Sequence, residues 1–162
     1  MKITLDTAAY LDAAAQLVEQ GKENIPVPVK GSSMKPFLSE GDTVFLVSAS
    51  CDIRRGDIVL YRRENGRYVL HRVCSLEQDG SAVMLGDAQV SKETLPDRSS
   101  FVGLVSLCIR KGRKISRNSL RWRGFAAVWL AVIPLRPKIM RAAGLFGRSK
   151  HRSDRKNGGS DG

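Results

Sequence analysis

Residues 26–42 read PVPVKGSSMKPFLSEGD. Alternating proline and valine predict a strand from Pro26, which runs into a sharp corner formed by Gly31-Ser32-Ser33-Met34-Lys35-Pro36. The segment closes on a Glu40-Gly41-Asp42 turn. Glycine at 31 permits a backbone angle or a close approach that a side chain would forbid, and Pro36 drives the residue before it out of the helical region. A corner of this kind presents one hydroxyl rigidly. Gly-Ser-Ser is also ordinary loop chemistry, so the corner alone does not separate a structural turn from a nucleophile.

Three further stretches stand downstream: Arg55-Gly56-Asp57-Ile58-Val59, Leu70-His71-Arg72-Val73 and Leu85-Gly86-Asp87-Ala88. With Ser33-Met34-Lys35-Pro36-Phe37-Leu38 and Gly41-Asp42, they resemble, in order, the four boxes of type I signal peptidases and, more loosely, of LexA-like peptidases. The resemblance covers Pro26 to about Val105. It implies a mostly β chain, a coiled-up mixed β-sheet peptidase domain, and a serine endopeptidase acting on an extended signal or leader peptide with small residues near the cut. Ser33 takes the nucleophile's position. Bacterial signal peptidases and LexA carry a lysine general base where this chain has His71, whereas the archaeal and endoplasmic-reticulum type carries histidine. A lysine must lose several units from about 10.4 before it accepts a proton, while a histidine starts near 6.5. The expected pair is therefore Ser33 and His71.

Asp87 can accept the second imidazole N–H and stabilise the imidazolium, and Asp97 is a second candidate because histidine-type enzymes carry a further acid past this box. The Ser33 backbone N–H is expected to bind the oxyanion, with the Ser32 hydroxyl as a candidate second donor. Many signal peptidases place a serine two residues before the nucleophile; here Gly31 stands there, as in LexA-like enzymes. Gly31, Ser32, Met34 and Pro36 are the oxyanion and substrate-binding candidates. A non-catalytic membrane-surface or partner-binding β module that keeps the boxes as scaffold is the competing reading.

Thr43 to Val47 alternates as a strand does, and Asp57–Arg63 and Arg67–Leu76 flank Asn65-Gly66, a strong hairpin signal. A two-residue loop there would set Glu64 opposite Arg67, Arg62 opposite Val69 and Leu60 opposite His71. Asp79-Gly80 is expected to turn into a strand from Ser81 to Leu85. Phe101–Ile109 is expected to return and close the sheet, with Lys111-Gly112-Arg113 ending the compact part. Ahead of the boxes, Asp6 or Thr7 can cap a helix running to about Gln20, with Leu5, Leu11, Ala14, Ala15 and Val18 on its apolar face and Gly21 as its stop. This stretch is too short for the helix-turn-helix that a repressor would need.

The chain has 162 residues and a net charge of +11, distributed unevenly. Through Ile109 there are 12 Lys/Arg and 14 Asp/Glu, but from Arg110 onward there are 15 and 2. Basicity thus belongs to the C-terminal appendage. Cys51, Cys74 and Cys108 are three and widely spaced, which points to small buried hydrophobes and not to a disulfide framework or metal site. Of two histidines, His151 sits in a polar tail, so neither a metal nor another cofactor is expected. No apolar run is long enough to span a bilayer, and the N-terminus lacks a basic-then-apolar leader pattern.

The expected organisation is a helix over 1–24, a catalytic β domain over 25–115, a basic apolar helical segment over 116–148 and a disordered tail over 149–162. Within residues 119–146, Arg121, Trp122 and Arg123 precede the apolar run Phe125–Leu135, after which come Arg136, Lys138 and Arg141. Eleven apolar residues reach about 16 Å as a helix against about 30 Å of hydrocarbon, and Pro134 and Pro137 would bend it. The segment reads as a peripheral anchor for an anionic membrane surface, with a helix covering the sheet as the alternative. Nucleic-acid binding ranks last, since the charge lacks interleaved aromatics. Expected partners are thus a peptide or preprotein substrate and an anionic membrane surface, and the expected location is membrane-associated or cytoplasmic.

Overall fold

The computed structural model describes residues 7–50 and 52–144. Helix α1 spans Thr7–Glu19, and eight strands follow: β1 Ile25–Pro28, β2 Thr43–Ser48, β3 Ile58–Arg62, β4 Tyr68–Leu76, β5 Ala82–Leu85, β6 Glu93–Leu95, β7 Phe101–Arg110 and β8 Arg113–Ser116. Two helices close the described chain, α2 Leu120–Ala131 and α3 Arg136–Ala142, joined by a 3-10 turn at Ile133–Leu135. The strands form one sheet in the order β1-β2-β7-β3-β4-β5-β6, with β8 added beside β7. The expectation of a mostly β chain with an N-terminal helix and a C-terminal helical appendage holds. Every strand pairing described is antiparallel, which corrects the expectation of a mixed sheet.

Strand β7 is not a closing edge. Its ten residues pair with β2 along one side and with β3 and then β8 along the other, so it joins the two halves of the sheet. Nor does Lys111-Gly112-Arg113 end the compact part. Lys111 (φ 48°) and Gly112 (φ 72°) both have positive φ, as a two-residue primed turn demands, and they feed β8 back onto β7 with Arg110 opposite Arg113.

The Asn65-Gly66 hairpin is built differently from the expected two-residue loop. Arg63 N–H donates to Arg67 O (2.9 Å) and Gly66 N–H to Arg63 O (2.8 Å), so three residues are looped out and only Gly66 has positive φ. This is the three-residue hairpin with a left-handed glycine at its end. The register moves accordingly: Val59 lies opposite His71, Leu60 opposite Leu70 and Tyr61 opposite Val69. Because faces alternate along a strand, that single step puts Tyr61 on the face of His71 and takes Leu60 off it.

Ala14, Ala15 and Val18 are buried on α1, which ends at a left-handed Gly21. Leu5 and Asp6 lie outside the described residues. One hydrophobic cluster joins α1 to β1, β2, Met34, Phe37, Leu38 and Trp122; a second lies among β3, β4, β5 and β7 around Val59, Tyr61, Val73 and Met84. Cys74 and Cys108 are free and buried in the sheet, and Cys51 lies outside the described residues.

Trp122 is fully buried, edge-on to Phe37 at 5.0 Å between ring centroids, and Trp129 donates from Nε1 to Asp87 O (3.0 Å). Arg136 is also buried: it lies over the Trp129 ring and donates to the carbonyls of Trp129 and Gly86. These tryptophans therefore pack in the protein, which corrects their expected place at a membrane interface. No helix among the described residues is long and apolar enough to cross a membrane. Residues 149–162, expected to be disordered, lie outside the described residues, as does His151.

Candidate active site

The Ser33 corner is an excursion between β1 and β2. Val29 N–H donates to Asp42 O (2.8 Å) and Gly41 N–H to Val29 O (3.3 Å), closing its base, and the Asp42 carboxylate accepts from Ser39 N–H (2.8 Å). Inside it, Leu38 N–H donates to Met34 O (2.9 Å), while Met34, Phe37 and Leu38 are buried and anchor the turn to the first cluster. Arg110 of β7 donates to the carbonyls of Pro36 (2.5 Å) and Phe37 (2.6 Å). The corner is thereby tied to the middle of the sheet.

The carbonyl of Ser33 is held from the other side by the turn after β5. Ala88 N–H donates to Ser33 O (2.8 Å), and a Cβ built on Gly86 would stand 2.7 Å from that same oxygen. Only glycine permits this approach. Leu85-Gly86-Asp87-Ala88 thus acts on the serine corner through its backbone.

Ser33 and His71 line one cavity of about 420 Å³, together with Gly31, Met34, Val27 and Val29 from the β1 side, Leu70 from β4 and Tyr10 and Leu11 from α1. Helix α1 is fixed beside this cavity by Tyr10 Oη donating to Pro26 O (2.7 Å) and by Tyr68 Oη donating to Asp12 Oδ1 (2.6 Å). Ser32 is exposed and Pro36 half-buried, and neither lines the cavity. Of the expected oxyanion and substrate-binding group, the fold brings Gly31 and Met34 to the cavity with Ser33, and not Ser32 or Pro36. Among the described residues no hydrogen bond joins the Ser33 hydroxyl to His71; the ring's polar contact is on its other nitrogen.

That contact is with Tyr61. His71 Nδ1 and Tyr61 Oη are 3.0 Å apart, Tyr61 Oη donates to Glu93 Oε2 (2.7 Å), and Arg63 donates to both Glu93 oxygens at 2.6 to 3.1 Å. The Arg63 hydrogen bond holds the Glu93 carboxyl below its ordinary range against the opposing effect of burial. The Tyr61 phenol is pushed up, by burial first and then by the adjoining carboxylate. An ionised Glu93 only accepts, so the single Tyr61 proton points to it and the phenol oxygen must accept from Nδ1–H. This assigns the Nδ1–H tautomer and leaves Nε2 with a free lone pair. The ring is buried, which lowers its pKa to about 4 despite the counteracting attraction of Glu93.

Asp87 is not the partner of His71. Its two carboxylate oxygens accept from Arg72 Nε (2.8 Å) and Nη2 (2.6 Å), and both side chains are fully buried. The physical reason is alternation: Arg72, next to His71 on β4, points to the opposite face, and Asp87 lies on that face with it. Asp97 is not the partner either. It is exposed and closes its own turn by accepting from Ser99 N–H (2.8 Å) and Ser99 Oγ (2.5 Å).

Tyr61, Arg63 and Glu93 were missed in the sequence. The signal for Tyr61 was present, since it lies two residues along from the residue opposite His71 once the three-residue loop is recognised. Glu93 begins a three-residue strand that no sequence pattern marks. The family model described as Peptidase S24-like matches residues 2–104 of the chain. No curated protein and no solved structure matches it.

Proposed function

Because the chain belongs to the Peptidase S24-like family, we propose that it is a serine endopeptidase that cleaves an extended signal or leader peptide with a Ser33/His71 pair. The observation that carries this reading is the shared cavity: Ser33 lines it beside a neutral histidine whose Nδ1 is already committed to Tyr61. In this reading the Ser33 oxygen attacks the scissile carbonyl while Nε2 takes the hydroxyl proton. The imidazolium that results is stabilised through Tyr61 by the Glu93 carboxylate, and its Nε2 proton passes to the leaving amine. Water then hydrolyses the acyl-enzyme with the same base. The Ser33 backbone N–H supports the oxyanion.

The edge of the sheet suits an extended substrate. Val29 faces β2 with its backbone groups, so Pro26 and Pro28 turn theirs to the side where no strand pairs among the described residues, and there proline offers a carbonyl and no N–H. Pro26 O is taken by Tyr10, which leaves Pro28 O as an acceptor for a peptide N–H beside the cavity.

The test is fluorophosphonate labelling and leader-peptide cleavage by the wild type, Ser33→Ala and His71→Ala. Loss of both signals in both variants is expected. Equal signals in all three would replace the peptidase reading with that of a binding module on a peptidase scaffold.

A further inference from the structure

We propose that the outward face of α2, continued through the 3-10 turn into α3, is a docking surface for an anionic lipid bilayer. Helix α2 is apolar on both sides. Trp122, Ala126, Trp129 and Leu130 pack inward, whereas Leu120, Gly124, Ala127, Val128 and Ala131 are exposed. These five recur at helical spacings of four, three, one and three residues, so they share a stripe about 100° wide on the side away from the sheet. Leu135 in the 3-10 turn and Ile139 in α3 are exposed as well. A helix that is apolar all round is ordinarily buried all round, yet here only one side is covered. Leu120 is 91 % exposed, Val128 63 % and Leu135 52 %, and four of the six large exposed hydrophobics among the described residues fall in this segment.

Charge selects the occupant. No Asp or Glu occurs from Arg98 to Ser153. Arg113, Lys114 and Arg121 are exposed around the start of the stripe, and Lys138 and Arg141 are exposed at its far end. The nearby Asp57 carboxylate is fully buried and neutralised by Arg117 and Arg123. Apolar surface framed by cations that meet no carboxylate among the described residues matches a bilayer of anionic headgroups, with each basic residue and each buried side chain adding to binding. A second copy of the chain would bring like charges together across the same stripe. A nucleic acid would leave the apolar residues uncovered, and the aromatics that could stack on bases are turned inward. The helix would lie in the plane of the interface, with the core-facing tryptophans playing no part in the contact.

Flotation of the full chain with vesicles of phosphatidylcholine alone, and of phosphatidylcholine with phosphatidylglycerol, tests this directly. Binding is expected to the anionic vesicles, to weaken with salt, and to fall about tenfold or more in Val128→Asp/Leu135→Asp. Both positions are exposed, so the variant should keep the wild-type circular dichroism spectrum and melting curve. Leu120→Asp supplies an independent arm at the other end of the stripe. Three outcomes would overturn the proposal: no anionic flotation, flotation unaltered in both variants, or a concentration-dependent dimer that Val128→Asp dissociates.

Discussion

His71 sits where burial outweighs an attractive carboxylate two bonds of a hydrogen-bond chain away. Its pKa of about 4 leaves the ring neutral and its Nε2 lone pair unprotonated across the physiological range, while making it a weaker base than an ordinary imidazole. The labelling rate should therefore hold down to mildly acidic pH and fall with a midpoint near pH 4; a midpoint near the ordinary 6.5 would mean the ring is solvated. The same shift couples pH to stability. In the unfolded chain the ring binds its proton near pH 6.5, whereas in the folded chain it does so near 4, so between those values the unfolded state holds more protons. This contribution is complete above about pH 6.5 and is lost as pH falls towards 4, by about 3 kcal/mol. Urea titrations of the wild type and of His71→Ala across that window should show the steeper loss in the wild type. Tyr61→Phe removes the acceptor of Nδ1–H while leaving Glu93 on Arg63, so the labelling rate of the folded protein should fall by about tenfold or more, with a stability loss of about 1–3 kcal/mol for the buried N–H left unpaired. An unchanged rate would mean that Tyr61 only fills space. Ser33 and His71 could be singled out as candidates because each stands inside a motif whose residue types suit the proposed chemistry. Tyr61 and Glu93 were not, because they become partners only through strand register.

The two hairpin turns show how register was misread at the scale of an element. Asn-Gly favours the two-residue primed turn in isolation, yet the described hairpin loops out three residues, while the primed turn falls at Lys111-Gly112. In the first case Tyr61 joins the apolar cluster with Val59 and Val73, and the burial of that face outweighs the preference of the loop itself. Most strands were nonetheless legible; β6 was not because three residues carry too little pattern, and β8 was not because the turn at Lys111-Gly112 reads as the end of the compact part and not as a hairpin. The turn after β5 makes its own prediction. A methyl at position 86 would meet the Ser33 carbonyl oxygen at 2.7 Å, which is backbone and cannot yield, and the Gln89 side chain at 2.8 Å, which can. Gly86→Ala should cost about 1–3 kcal/mol as the turn withdraws. It should also lower the labelling rate of the folded fraction, because the same movement breaks the Ala88–Ser33 bond. Wild-type labelling alongside the stability loss would show that the turn supports the sheet without positioning the serine.

Across the whole molecule, the four boxes meet at Arg72. Its guanidinium donates to both oxygens of Asp87 and to Gly56 O (2.8 Å), and it lies over the rings of Phe37 (4.9 Å) and Phe125 (5.4 Å). One side chain therefore links the serine corner, the turn before β3, strand β4 and the turn after β5, and it brings α2 in as well. The motifs were legible as separate stretches; that a buried arginine joins them was not, since nothing in the chain's charge pattern tells a buried cation from a solvated one. A charge taken fully out of water is costly unless it is paired, so removing one member leaves the other stranded. Asp87→Leu and Arg72→Leu should each lower stability by about 3–5 kcal/mol in urea unfolding. The double variant has no stranded charge and keeps the apolar contacts to Phe37 and Phe125, so its loss should be smaller than the two single losses combined. Additive losses would mean that the two side chains act independently, and that Arg72 holds the boxes together through Gly56 and the rings alone.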